Sequence, residues 1–156
     1  MNEISIRQAT LEDVTVIHSL LSDLEKTLDA TSKVKRTVAD LRKFGFSGSP
    51  CFEALIAWRG AEAVGLVLFF REFSSWLGKP GVYVQDLYVS PGLRGSGLGS
   101  KLMQAVYDHT RNWGAGYCKL TVHGDNEAAI AFYRQLGFQP AEHDCVLFLE
   151  LAACLT

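Results

Sequence analysis

Residues 87 to 100 read LYVSPGLRGSGLGS, and their types and spacing describe a cradle for an anion. An apolar run, Val82 to Val89, stops at Ser90-Pro91. A loop then delivers Arg94-Gly95-Ser96-Gly97-Leu98-Gly99, and a helix-compatible segment follows at once, from Ser100 to His109. A strand, a glycine-rich turn and a helix N-terminus gather free backbone N–H groups at one point. Orphan donors and the helix dipole both favour negative charge there, which suits a phosphate.

Three glycine-rich patterns compete for this loop. A dinucleotide fingerprint needs G-x-G-x-x-G or a final Ala, and here Ser100 holds the last position. A P-loop needs G-x-x-x-x-G-K-[ST], whereas Lys101 follows Ser100 and precedes Leu102. The pattern that fits is Arg-x-x-Gly-x-Gly at Arg94, Gly97 and Gly99. A second segment, residues 118 to 138, reads CKLTVHGDNEAAIAFYRQLGF. It predicts a strand (Lys119 to His123), then Asn126, then a helix through Phe132-Tyr133, then Leu136-Gly137-Phe138. The first pattern resembles the pyrophosphate-binding motif of the GNAT superfamily of acetyl-CoA-dependent N-acyltransferases. The second resembles that family's next element, with N-x-x-A-x-x-F-Y followed by x-x-G-F.

The elements that must position these motifs follow from periodicity. Ile4 to Gln8 alternates as a short strand. Thr10-x-x-Asp13 is a capping box, followed by Leu11, Val14, Ile17, Leu20, Leu21, Leu24 and Leu28 at helical spacing. Thr37-x-x-Asp40 opens a second short helix ending near Phe44-Gly45. Cys51 to Trp58 and Ala63 to Glu72 read as a hairpin around Arg59 to Glu62. Phe73 to Pro80 is a loop, Gly81 to Val89 a strand, the next helix ends near Trp113-Gly114, and Cys145 to Leu151 is a final strand. The class is mixed α/β. The resemblance implies the GNAT fold: a mixed, mostly antiparallel sheet, splayed between two central parallel strands (Val82 to Val89 and Lys119 to His123), with helices on both faces. The cofactor's pantetheine arm would lie in that split.

The resemblance narrows over residues 37 to 89. Leu41-Arg42-Lys43-Phe44-Gly45-Phe46, Pro50-Cys51-Phe52-Glu53-Ala54, Ser75-Trp76-Leu77-Gly78-Lys79 and Tyr83-Val84-Gln85-Asp86-Leu87-Tyr88-Val89 are similar to the diamine acetyltransferases, which include spermidine/spermine and thialysine enzymes. Two positions depart from that subgroup. Gln85 stands where it has a Glu credited with deprotonating the amine through water, and a neutral amide takes no proton at pH 7. Gly124-Asp125 stands where it carries an acid and a Trp.

A primary amine must lose a proton, attack a thioester carbonyl and expel a thiolate. Positioning the two substrates removes much of the barrier, and the developing oxyanion needs a preorganised donor. The resemblance gives that donor to a backbone N–H near Leu87, within a cofactor strand Leu87-Tyr88-Val89. It gives the phosphates to Arg94, Gly95, Ser96, Gly97, Leu98, Gly99 and Ser100, and the proton for the departing sulfur to Tyr133. Asp86, His123 and a water held by Gln85 are the candidate bases; a neutral imidazole has the best unperturbed proton affinity for the task. Asn126 either bonds the pantetheine or caps its helix. Asp23, Asp29, Asp86 and Trp76, the last by cation–π contact, are candidates to line an amine pocket.

Length and composition bound the rest. At 156 residues the expectation is one GNAT domain, 1–156. A formal net charge of −2 gives no basic footprint for nucleic acid or an anionic membrane. Apolar runs fall short of a membrane span, and Met1-Asn2-Glu3 lacks a signal-peptide opening. Cys51, Cys118, Cys145 and Cys154 lack C-x-x-C spacing and have apolar neighbours, so buried or half-buried free thiols in the cytoplasm are expected. His18, His109, His123 and His143 lack ligand spacing, so no metal is expected. The expected activity is acetyl transfer from acetyl-CoA to the primary amine of a polyamine-like or amino-acid-like small molecule. The resemblance suggests a homodimer. Alternatives are a protein or peptide N-acetyltransferase, against which a closing Phe73 to Pro80 loop would argue, and a non-catalytic acyl-CoA-binding module.

Overall fold

A computed structural model describes residues 3–151. The chain divides into two compact units, Met1–Thr121 and Val122–Thr156. In the first, five strands form one sheet in chain order: β1 (Ile4–Gln8), β2 (Glu53–Arg59), β3 (Glu62–Ser74), β4 (Lys79–Val89) and β5 (Cys118–Leu120). The first four pair antiparallel, and β4 pairs β5 in parallel. Three helices accompany them: α1 (Val14–Thr27), α2 (Val38–Gly45) and α3 (Leu98–Thr110).

Side chains alternate across a strand, so each strand feeds two faces. Ala54, Ile56, Leu66 and Leu68 meet Ile17, Leu20 and Leu21 of α1 and Leu41 of α2 in one buried cluster. Val67 and Phe69 point the other way, toward α3. There Leu102, Met103 and Val106 are fully buried and His109 lies 5.6 Å from the Phe69 ring. Gly65 admits α3 to the sheet: a Cβ there would stand 3.1 Å from Leu102 and 3.2 Å from the Tyr88 carbonyl.

Caps fix where the helices begin. Thr37 and Asp40 close the expected capping box on α2. Asp13 does more than cap: it accepts from the Thr10 amide at 2.8 Å and takes a two-pronged bond from Arg7, at 2.8 and 3.1 Å. Those Arg7 bonds, opposed by burial and helped by Thr10, hold the Asp13 carboxyl below its usual range. Asp13→Ala is therefore expected to destabilise the protein by about 1–2 kcal/mol near pH 7, since the cap and a half-exposed Arg7 pair are lost together. The folded-state value lies below the unfolded one. The ionic part of the contribution is thus full above about pH 4 and lost as pH falls through the depressed value. Urea unfolding at pH 7 and pH 2.5 should show the gap between wild type and variant shrinking.

In the second unit, α4 (Glu127–Gln135) begins at Asn126, whose side chain accepts from the Ala129 amide at 3.2 Å. It ends in a Schellman motif. The Phe138 amide bonds the Tyr133 carbonyl (3.1 Å), the Gly137 amide bonds the Arg134 carbonyl (3.0 Å), and Gly137 sits at φ 97°. The F-Y-R-Q-L-G-F run is thus a helix end with its stop signal, and the apolar contact that accompanies such a stop is Tyr133 on Phe138, rings 5.5 Å apart.

Three expectations are corrected. Cys145 to Leu151 forms no strand: it lies exposed in irregular backbone, because among the described residues no neighbouring strand supplies the ladder partners a strand requires. The Phe73 to Pro80 loop is half strand, with residues 75–78 turning, because β3 and β4 pair as far as Ser74↔Lys79. Cys51 and Cys145 are exposed; Cys118 is half-buried, with burial pushing its thiol up to about 12, and Cys154 lies outside the described residues. Among the described residues no helix is long and apolar enough to cross a membrane.

Candidate active site

The site begins with one surplus residue in β4. Leu68 pairs with Asp86 and Phe69 with Val84, so Gln85 faces no partner. This bulge reverses the alternation of the strand. Before it, Tyr83 stacks on Phe70 at 4.9 Å, on the face of Leu68. A regular strand would put Gln85 and Leu87 on that face. The bulge puts Asp86 and Tyr88 there instead, and Tyr88 joins the α1 cluster.

Asp86 consequently lies under α1 in a largely apolar setting. Burial pushes its carboxyl from the ordinary 3.8 up to about 6; the Arg36 charge opposes that rise and the Glu25 charge adds to it. Gln85, displaced by the bulge, is exposed. Glu25 and Arg36 pair with each other and are mostly covered, with side chains 14% and 21% exposed. Neither is legible as a site residue from motif spacing. Glu25 did leave a signal: it falls on the Ile17, Leu21, Leu24 stripe of α1, where a charge interrupts the apolar face. Arg36 sits in the connector between α1 and α2 and left none.

The acids singled out from sequence stand elsewhere. Asp23 faces outward, 3.8 Å from Lys26. Asp29 is exposed just after α1, at φ 53°, a left-handed conformation that Asp tolerates. Trp76 is 98% exposed at the tip of the β3–β4 turn. His123 lies beyond β5, exposed, in the second unit.

Past the bulge, β4 has a free edge. β5 pairs with it only from Val82 to Val84, so on the side away from β3 no strand pairs with Gln85 to Val89, including Leu87, among the described residues. The parallel strand expected over Lys119 to His123 is shorter, Cys118–Leu120, because its ladder with β4 stops at Leu120. The chain then turns through a short 3-10 segment (Pro91–Leu93) into α3. Gly95 (φ 81°) and Gly97 (φ 88°) take left-handed conformations that a side chain disfavours. Gly97 caps α3 without any side-chain bond. The amides of Gly95, Gly97, Leu98, Gly99 and Ser100 donate to no group among the described residues. Five idle donors at a helix N-terminus form an anion cradle. Leu98 is buried and anchors that first turn, while the Ser96 hydroxyl bonds the Leu93 carbonyl. Arg94 turns back rather than over the cradle: Nε donates to the Val89 carbonyl at 3.1 Å and an Nη to Thr27 Oγ1 at 3.4 Å. It ties the loop to the end of α1. In the second unit, Tyr133 packs between Phe132 and Phe138, with ring distances of 5.0 and 5.5 Å.

Residues 17–138 match the Acetyltransferase (GNAT) family. The chain belongs to the GNAT family. Over 142 residues it is 32% identical to the thialysine N-epsilon-acetyltransferase of Mus musculus, covering 86% of this chain and 83% of that one. It is 27% identical to a human spermidine/spermine N(1)-acetyltransferase-like protein, covering 88% of this chain but 21% of that one. An aminoglycoside acetyltransferase from an uncultured soil metagenomic sample shares the fold, with a TM-score of 0.75 at 19% identity over 96% of this chain and 95% of that one. This GNAT chain is an N-acetyltransferase. The family match takes in the bulged β4, the cradle and α4 together. Among the described residues no three His, Cys, Asp or Glu side chains gather as a metal site.

Proposed function

We propose that the protein transfers an acetyl group from acetyl-CoA to the primary amine of a small polyamine-like or amino-acid-like molecule, by direct attack in a ternary complex. The observation that carries this reading is a half-buried carboxyl, Asp86, turned by a bulge to the inner face of the strand that runs into a five-amide cradle. The relatives' names, thialysine and spermidine/spermine acetyltransferases, support the acceptor class.

The cradle fits the pyrophosphate of CoA, being all amide donors on a positive helix end. The free edge of β4 fits the pantetheine arm by backbone bonding, and an amide near Leu87 fits the thioester oxygen. Asp86 attracts the ammonium. The ammonium releases one proton to solvent to become the free amine; once that amine attacks, its N–H becomes strongly acidic, and Asp86 is suited to accept this second proton, directly or through a water held by Gln85. The sulfur leaves as a thiolate and takes a proton from Tyr133. Asn126 serves as the cap that starts the Tyr133 helix. Asp23, Asp29, Trp76 and His123 are proposed to meet the acceptor further out. The assembly we propose is a single 1–156 domain, homodimeric and cytoplasmic.

The test is thiol release from acetyl-CoA with spermidine, thialysine, lysine, aminoglycosides and short peptides as acceptors. Turnover with a small amine is expected. Turnover with peptides alone would favour the protein N-acetyltransferase reading. Acetyl-CoA binding without release of CoA to any of these acceptors would overturn the proposal.

A further inference from the structure

We infer that the Glu25–Arg36 ion pair positions Asp86 and sets the pH at which it ionises. This rests on the reading of Asp86 given above only for its catalytic consequence.

The geometry assembles from three separate elements. The bulge at Gln85 turns Asp86 to the face that α1 covers. Glu25 stands on the inward stripe of α1. Arg36 enters from the α1–α2 connector and gives one Nη to Glu25. Its Nε and other Nη are buried and donate to no group among the described residues. Idle donors on a buried guanidinium are unfavourable, so a neighbouring group with lone pairs gains by taking them. Asp86 makes no direct bond to the pair, but it faces the same side of the sheet, and among the described residues Arg36 and Glu25 are the charged groups whose fields act on it. Directly across, β3 presents the uncharged Leu68, and along β4 stand Gln85 and Tyr88.

The two members of the pair push in opposite senses. Arg36 favours the carboxylate through its charge. Glu25 disfavours the carboxylate and also holds one edge of the guanidinium, which aims the other edge away from itself. Arg36 and Glu25 are therefore positioning residues acting through Asp86. A structural role, by contrast, would move stability without moving the titration in opposite directions.

The experiment uses the full chain with 13C-labelled aspartate. The Asp86 carboxyl resonance is assigned by its loss in Asp86→Asn and followed from pH 3.5 to 9. Arg36→Gln is expected to raise the midpoint by about one pH unit, and Glu25→Gln to lower it by a similar amount. Arg36→Lys, which keeps the charge, should stay near wild type. Midpoints unmoved, or moved in the same direction by both neutralising variants, would overturn the inference. If Arg36→Gln does not fold, Glu25→Gln and Arg36→Lys still decide it, because only a charge effect lowers the first and spares the second. The pH dependence of kcat/KM is measured in parallel. Midpoints that move as expected while the acidic limb stays still would uphold the pair's role and refute the catalytic reading of Asp86.

Discussion

Asp86→Asn is expected to be more stable than wild type at pH 8 and almost inactive. The two effects have one cause. Burial raises the folded-state carboxyl from 3.8 to about 6, so the folded protein holds that proton more tightly than the unfolded chain does. A raised acid works against the fold: its penalty is absent below about pH 4, grows between 4 and 6, and is full above 6. At about 1.4 kcal/mol for each pH unit between the two values, asparagine should recover up to about 3 kcal/mol at pH 8 and close to nothing at pH 4. Thermal melts at both pH values measure this. Activity should fall by about 10²–10³ in kcat/KM near pH 7.5, the range lost when a general base is removed, and the limb near pH 6 should vanish. A variant that keeps that limb, or that gains no stability at pH 8, would show that Asp86 is neither the proton acceptor nor a charge held at a cost.

Tyr133→Phe should leave the fold intact and slow the chemistry. The ring's contacts to Phe132 and Phe138 survive the change, and the motif that ends α4 is made by backbone amides, not by the phenol. What goes, on the proposed mechanism, is the proton for the departing thiolate. Loss of a general acid of this kind lowers kcat by about 10²–10³. The acetyl-CoA KM should change by less than about threefold, because the cradle amides of residues 95–100 do not involve the phenol. The rate should recover with a thioester whose leaving thiol is more acidic, since that leaving group needs a proton less. Equal rates in wild type and variant with acetyl-CoA would remove Tyr133 from the reaction.

The glycine-rich loop, the two capping boxes and the end of α4 were legible in the sequence because each is closed by residues a few positions apart. Thr37 reaches Asp40, Gly97 opens α3, and the Phe138 amide reaches Tyr133. Such contacts do not depend on the rest of the chain, so spacing alone specifies them. The hairpin of β2 and β3 was legible because two apolar runs flank a short turn, whereas the pairing of β3 with β4 as far as Ser74 and Lys79 was not. The acid under α1 was not. Sequence put Asp86 and Gln85 side by side and could not say which faced inward, because a strand's faces are assigned by its register with a neighbour. The single unpaired residue opposite Leu68 and Phe69 settled it in favour of Asp86. Glu25 and Arg36, distant in sequence from β4, became its neighbours only when α1 and its connector settled over the sheet. The same logic accounts for the overcalled strand at Cys145 to Leu151, where apolar content was sufficient but no partner edge lies alongside among the described residues. Local chemistry thus determined that this chain has an anion-binding helix N-terminus. The pairing of β3 with β4 decided that the acid of the preceding strand faces inward, because burial and charge are properties of what surrounds a residue.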